Sequence, residues 1–167
     1  MKKILIIGSG GAGKSTLAKK LGELLHFPVY HLDSIFWKEN WTPSNREEFR
    51  QNIRSVMEKE EWILDGNFGS TLDMRLKHCD TVVFLDYPSL TCVYGVVKRR
   101  IQYNGKTRPD MGENCKEKLD WEFLKWVYTY RKKKAPEIRK KLSELTNVKV
   151  ITLQSRKETK RFLQSLS

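Results

Sequence analysis

Gly8, Ser9, Gly10, Gly11, Ala12, Gly13, Lys14, Ser15 and Thr16 follow one another directly behind the apolar run Ile4 to Ile7. These types at this spacing suit the holding of a polyphosphate. Glycines let the backbone take positive φ and approach phosphate oxygens, successive N–H groups wrap the anion, Lys14 reaches the β- and γ-phosphates, and the Ser15 hydroxyl ligates Mg²⁺. A helix opening near Lys14 would aim the positive end of its dipole at the same anion. Gly8, Gly10 and Gly13 also spell the looser dinucleotide pattern, with Asp33 twenty positions past the last of them. That pattern asks for no lysine followed by two hydroxyls, so Lys14, Ser15 and Thr16 favour the P-loop and ATP with Mg²⁺.

Further candidates lie at the ends of apolar runs. Asp33, Asp65 and Asp86 each close a run that reads as a strand, and ligands of a parallel sheet bind at the carboxyl ends of its strands. A carboxylate there can hold the hydration shell of Mg²⁺, the role that suits Asp65, or orient and deprotonate an acceptor, the role that suits Asp33. Each also has a bland reading as a turn former, and Asp86, before Tyr87 and Pro88, is expected to be a turn and N-cap residue. Phe36, Trp37, Trp41 and Phe68 gather near the first two aspartates; they stack on a planar acceptor or pack an inserted segment. His31 reads as a structural residue of its strand, while His26 and His78 read as helix-end residues.

Charge is unevenly spread. Residues 1 to 88 carry 12 basic and 12 acidic side chains, whereas residues 89 to 167 carry 20 and 8. The excess gathers around Lys98, Arg99 and Arg100, around Lys106 and Arg108, and in the runs beginning at Arg131 and Arg139. Arginines bind phosphate oxygens in a bidentate way, so those flanking 103–117 are the functional candidates. The lysines suit a solvated surface or non-specific contact with a nucleic acid backbone.

Elements of an α/β protein are needed to position these groups, and the pattern supplies them. Strands are expected at the N-terminal apolar run, at 28–32, 62–64, 81–85 and 148–153, alternating with helices at 14–25, after the Ser44 and Glu47 capping box, at 70–78, and beyond. That alternation predicts a parallel sheet with helices on both faces. The irregular stretch 103–117, with Gly105, Pro109 and Gly112, is too long for an ordinary connection and reads as a lid over the phosphates. The 167 residues suit a single domain, with an acceptor-binding insertion at about 34–60 and a lid region at about 99–131. Three scattered cysteines imply no disulfide framework and suit a reducing cytoplasm. No run is long enough to span a membrane, and the apolar start reads as a buried strand, not an export signal.

The P-loop, the segments PVYHLDSIFWKENW and WILDGNF, Arg75 and Leu76 ahead of DTVVFLD, KRRI, and KTRPDMGENCKEKLDWEFLKWV together resemble the DNA topology modulation (FlaR-like) family, a branch of adenylate-kinase-like P-loop proteins. The resemblance implies a nucleoside monophosphate kinase fold with a five-stranded parallel sheet in the order 2-3-1-4-5 and a mobile lid. It implies that Asp65 sits by Mg²⁺, that Arg99 or Arg100 faces the nucleotide, and that Arg108 and Arg131 close on the phosphates. Asp33, Trp37 and Arg75 fall on the substrate side. The proline and arginine that adenylate kinases carry after Asp65 and Gly66 are replaced here by Asn67, Phe68 and Gly69, which argues against AMP as acceptor. The four cysteines of zinc-bearing lids are absent.

The expected function is therefore Mg²⁺-dependent transfer of the γ-phosphoryl group of ATP to a small acceptor, a nucleotide, nucleoside or other hydroxyl compound. Two alternatives stand beside it. One is a nucleotide-gated DNA-binding protein that grips duplex through its basic C-terminal half, although no DNA-reading motif is visible. The other is a P-loop ATPase with water as its only acceptor.

Overall fold

In the computed structural model, which describes residues 1–166, five strands form one parallel sheet. In chain order the first elements are β1 (Lys3–Gly8), α1 (Lys14–Leu25), β2 (Val29–His31), α2 (Leu32–Phe36), β3 (Trp37–Lys38) and β4 (Thr42–Pro43). They are followed by α3 (Arg46–Met57), β5 (Trp62–Asp65), α4 (Gly69–Leu76), β6 (Thr81–Leu85) and α5 (Ser89–Gln102). The chain closes with α6 (Trp121–Lys133), α7 (Ala135–Ser143), β7 (Lys149–Leu153) and α8 (Arg156–Gln164). The sheet order is β2-β5-β1-β6-β7, which is 2-3-1-4-5 once the small β3-β4 hairpin is set aside.

Alternation along β1 divides the core into two layers. Ile4 and Ile6 face Leu17 and Leu21 of α1, Val96 of α5 and Phe162 of α8. Leu5 and Ile7 face Phe49 and Ile53 of α3, Leu72 of α4 and Leu142 of α7. Both faces of the strand are fully buried, as a parallel sheet covered by helices on each side requires. β1 is flanked by β5 and β6 in register, with Ile6 opposite both Asp65 and Val83. The loop after β1 therefore opens between two strand ends, at the place where an open α/β sheet receives ligands.

Helix starts are marked by conventional caps at three places. Asn45 Oδ1 accepts the Glu48 amide of α3 at 2.8 Å, Asp120 Oδ1 accepts the Glu122 amide of α6 at 3.0 Å, and Ser155 Oγ accepts the Glu158 amide of α8 at 3.2 Å. The first of these corrects the expected capping box: Ser44 instead donates its hydroxyl to the Ile35 carbonyl at 3.1 Å, and the helix begins one residue later. Asp86 is not an N-cap either. It is 3% exposed and its carboxylate is chelated by Arg139 Nε and Nη2 at 2.9 and 2.8 Å, while α5 starts behind Pro88 without a side-chain cap. The second strand is shorter than expected, so Asp33 does not end it but occupies the second position of α2.

Candidate active site

Unlike α3, α6 and α8, α1 starts without a side-chain cap. Its N-cap is Gly13, at φ 92°, with no side-chain acceptor over the first amides. A left-handed backbone favours glycine here, and nothing lies within 4 Å of where a Cβ would stand. The result is an open cradle floored by unclaimed N–H groups at a helix N-terminus, the arrangement that holds phosphate. Lys14 folds back over the loop and donates to the Ser9 carbonyl at 2.9 Å. Burial lowers its pKa, against the fields of Asp65 and Asp33, which raise it. Asn67, after β5, accepts the Gly8 amide at 3.3 Å and ties the cradle to the neighbouring strand end.

Asp65 closes β5 and is 3% exposed. Its Oδ1 meets His31 Nδ1 at 3.0 Å, whereas its Oδ2 is buried with no hydrogen-bond partner. A buried acceptor without a donor is costly, and a hydrated cation beside it would satisfy it. With the Ser15 hydroxyl in the same cleft, the donor set fits a Mg²⁺ ion held by oxygen ligands. His31 is thus part of the site, where the strand pattern alone marks it as structural. Burial acts to lower its pKa, but the hydrogen bond and field of Asp65, with the fields of Asp110 and Asp33, raise it overall. Asp33 lines the same cleft; burial raises its pKa, opposed by Lys14 and Arg108.

Residues 103–120, between α5 and α6, cover the cleft. Arg99, from the last turn of α5, donates from Nε to Glu117 Oε1 at 3.1 Å. Arg108 Nε lies 2.9 Å from Glu117 Oε2, and its Nη1 donates to Asp110 Oδ2 at 3.1 Å. That same Asp110 oxygen accepts the Ser15 hydroxyl at 2.9 Å, so the lid is fastened to the phosphate loop by a carboxylate. The lid is also fastened to the β3-β4 hairpin. Cys115 Sγ donates to the Lys38 carbonyl and accepts the Trp41 amide, both at 3.3 Å, and Asn40 donates its amide to the Glu113 carbonyl at 3.2 Å.

The sequence candidates therefore divide. Gly10 to Thr16 of the phosphate loop, with Asp33, Trp37, Asp65, Arg99 and Arg108, line one cleft of about 1470 Å³, while Gly8 and Ser9 lie buried behind it. Arg100, Arg131 and Arg75 are not among its walls. Arg100 hydrogen-bonds Asn104 on its own side of the lid, and Arg131 Nε lies 3.6 Å from the buried Asp86. Arg75 is fully buried; it donates to Thr71 Oγ1 and to the carbonyls of Gly66, Asn67 and Phe68. Burial pulls its pKa down to about 9. It braces the loop that follows Asp65 and lies outside the cleft. Trp37 packs edge-on against Phe36 and Trp41, with ring centroids 4.8 and 5.4 Å away. Sequence reasoning missed His31, Asp110 and Glu117. The arginine candidates drew attention to charge of one sign, whereas two acidic residues in the same lid segment were the signal for their partners.

Residues 4–121 of the chain match the AAA domain family. Over 131 residues the chain is 27% identical to a Bacillus subtilis (strain 168) protein named Uncharacterized protein YqaC, covering 77% of this chain and 72% of that one. Among solved structures it is similar to shikimate kinase from Acinetobacter baumannii in complex with shikimate, with TM-score 0.59 and 17% identity over 99% of this chain and 90% of that one. It is also similar to shikimate kinase from Bacteroides thetaiotaomicron, with TM-score 0.57 and 22% identity over 98% and 94% of the two chains. These likenesses show the P-loop, nucleoside monophosphate kinase-like fold.

Proposed function

We propose that this chain, which belongs to the AAA domain family through residues 4–121, is an ATP-dependent phosphotransferase acting on a hydroxyl of a small acceptor. The observation that carries this reading is the joint placement of an uncapped phosphate cradle, the buried Asp65 and half-buried Asp33 carboxylates, and a lid on one cleft. The shikimate kinases that share its fold supply the analogy. The motif likeness to the DNA topology modulation (FlaR-like) family, a branch of adenylate-kinase-like P-loop proteins, supports the same reading.

ATP lies with its phosphates over Gly8 to Thr16, whose amides and the α1 dipole balance the negative charge. Lys14 leaves the Ser9 carbonyl and binds the β- and γ-phosphate oxygens. Ser15 and Asp65 hold Mg²⁺, directly or through water, and the ion when bound screens the phosphate charge. Arg99 and Arg108, on the lid side, neutralise the charge on the group in transit when the lid excludes water. Asp33 orients the acceptor hydroxyl and takes its proton as the new oxygen–phosphorus bond forms and ADP departs. His31, hydrogen-bonded to Asp65, fixes the orientation of that carboxylate.

The test is ADP release with Mg·ATP across a panel of hydroxyl acceptors that includes shikimate. Lys14→Ala should lower acceptor-dependent turnover by about a hundredfold or more. Turnover that is substantial without Lys14, or a rate with every acceptor equal to that with water, sinks the phosphotransferase reading.

A further inference from the structure

The two ends of the cleft differ in charge. At the β7 side, the rim belongs to the donor: Lys98 of α5 and Arg156 and Lys160 of α8 line it beyond the phosphate loop. At the β2 side, the walls are His31, Asp33, Trp37, Trp41, Phe68 and the lid residues Arg108 to Met111, Glu117 and Lys118. Every arginine that could serve an anion there is already engaged. Arg75 is fully buried and consumed by backbone carbonyls. Arg99 and Arg108 share Glu117, and Arg108 also binds Asp110. Lys118 holds its ammonium over the Trp41 ring at 5.1 Å, at the solvent edge.

Two acids are not matched in the same way. Asp33 makes no side-chain hydrogen bond among the described residues, and one oxygen of Asp65, the one a Mg²⁺ ion would take, is buried without a donor. Asp110 and Glu117 are balanced by Arg108 and Arg99, so the lid offers neither sign free, and the cleft wall that remains is the aromatic one of Trp37, Trp41 and Phe68. An acceptor bringing a carboxylate or phosphate would meet this field with no free guanidinium to receive it, and would pay both desolvation and repulsion. An acceptor bringing a protonated amine meets the Asp33 carboxylate and aromatic faces, both of which attract cations.

We propose that the acceptor is a hydroxyl compound with a planar or apolar body that carries a protonated amine and no anionic group. This rests on the phosphotransferase reading and names its substrate class. The acceptor end selects by charge: amine first, neutral second, carboxylate last.

The experiment uses three probes of one shape, each with a hydroxymethyl group on a benzene ring: 4-(hydroxymethyl)benzylamine, 1,4-benzenedimethanol and 4-(hydroxymethyl)benzoate. Their dissociation constants are measured by titration calorimetry on the full chain, alongside a titration with a non-hydrolysable ATP analogue and Mg²⁺. The amine is expected to bind at least about tenfold more tightly than the carboxylate, the effect of one unit charge acting across several ångströms of partly hydrated protein. Glu117→Gln, which releases Arg99 and Arg108, should narrow that gap several-fold; Asp110→Asn, which releases Arg108, should narrow it too, so one misfolded variant does not remove the test. Equal binding of the three probes, tightest binding of the carboxylate, or no binding by any of them overturns the proposal. Failure of the ATP analogue to bind, with the amine still preferred, overturns the phosphotransferase reading and leaves the charge selection standing.

Discussion

Asp33 is the residue on which chemistry and stability pull in opposite directions. Burial raises its pKa, so the carboxylate needed to accept a proton is populated only at a higher pH than for an ordinary aspartate. The acid limb of kcat/KM is therefore expected above the usual carboxylate range, with activity falling as pH drops through the raised pKa. The stability sign is the reverse: an acid whose folded pKa lies above its unfolded value binds more protons when folded, so stability declines as pH rises through that interval. Asp33→Asn should lower kcat about a hundredfold or more and raise the melting temperature near neutral pH, because the charge in its buried position is gone. A pH–rate profile and a thermal melt on the same preparation check both. Loss of activity with a lower melting temperature would mean that Asp33 holds the fold and not the acceptor.

The loop between β5 and α4 shows how an element positions chemistry, and also where sequence reading stops. Strands and helices were legible because their signals are local: the apolar run Ile4 to Ile7, the helical stripe behind Lys14, and the run Thr81 to Leu85 each match the observed element. The phosphate cradle was legible for the same reason, since one contiguous segment carries all of it. Arg75 was not. An arginine reads as a surface cation or a phosphate ligand, and only the packed structure shows three backbone carbonyls converging on it across a helix turn. His31 and Asp110 likewise acquire meaning from residues 34 and 95 positions away. Arg75→Met should leave those carbonyls and Thr71 without their donor and cost about 2–5 kcal/mol, with Lys rescuing little because its ammonium lacks the fork. Chemical denaturation measures the loss. KM for the acceptor should rise in any folded fraction, since Asp65 to Phe68 lose their brace; an unchanged denaturation midpoint would contradict this assignment.

Across the whole molecule, one hydrogen bond couples the lid to the donor site. The Ser15 hydroxyl donates its hydrogen to Asp110, and a Mg²⁺ ion in a phosphate loop uses a lone pair of the same oxygen as a ligand. The two are compatible, so Asp110 stays on Ser15 when the ion binds and the lid follows the hydroxyl as it turns toward the ion. Through Cys115 and Glu113 the lid grips the β3-β4 hairpin, and movement started at Ser15 is therefore passed to Trp37 and Trp41 at the acceptor wall. Binding at one end is in this way made to reset the other. Without nucleotide, Asp110→Ala should free the lid. The amides of Lys106, Met111, Cys115 and Glu117, which donate to carbonyls within residues 103–112, should exchange hydrogen roughly fivefold faster, the effect of losing about 1 kcal/mol of local protection. The same variant should bind an ATP analogue with Mg²⁺ more weakly, because the Ser15 hydroxyl loses the acceptor that turns its lone pairs toward the ion. Hydrogen–deuterium exchange by mass spectrometry over 103–120 and calorimetry with the analogue read the two effects separately. Faster exchange with unchanged or tighter nucleotide binding would mean that Asp110 only fastens the lid; unchanged exchange would mean that the lid is held by the hairpin alone.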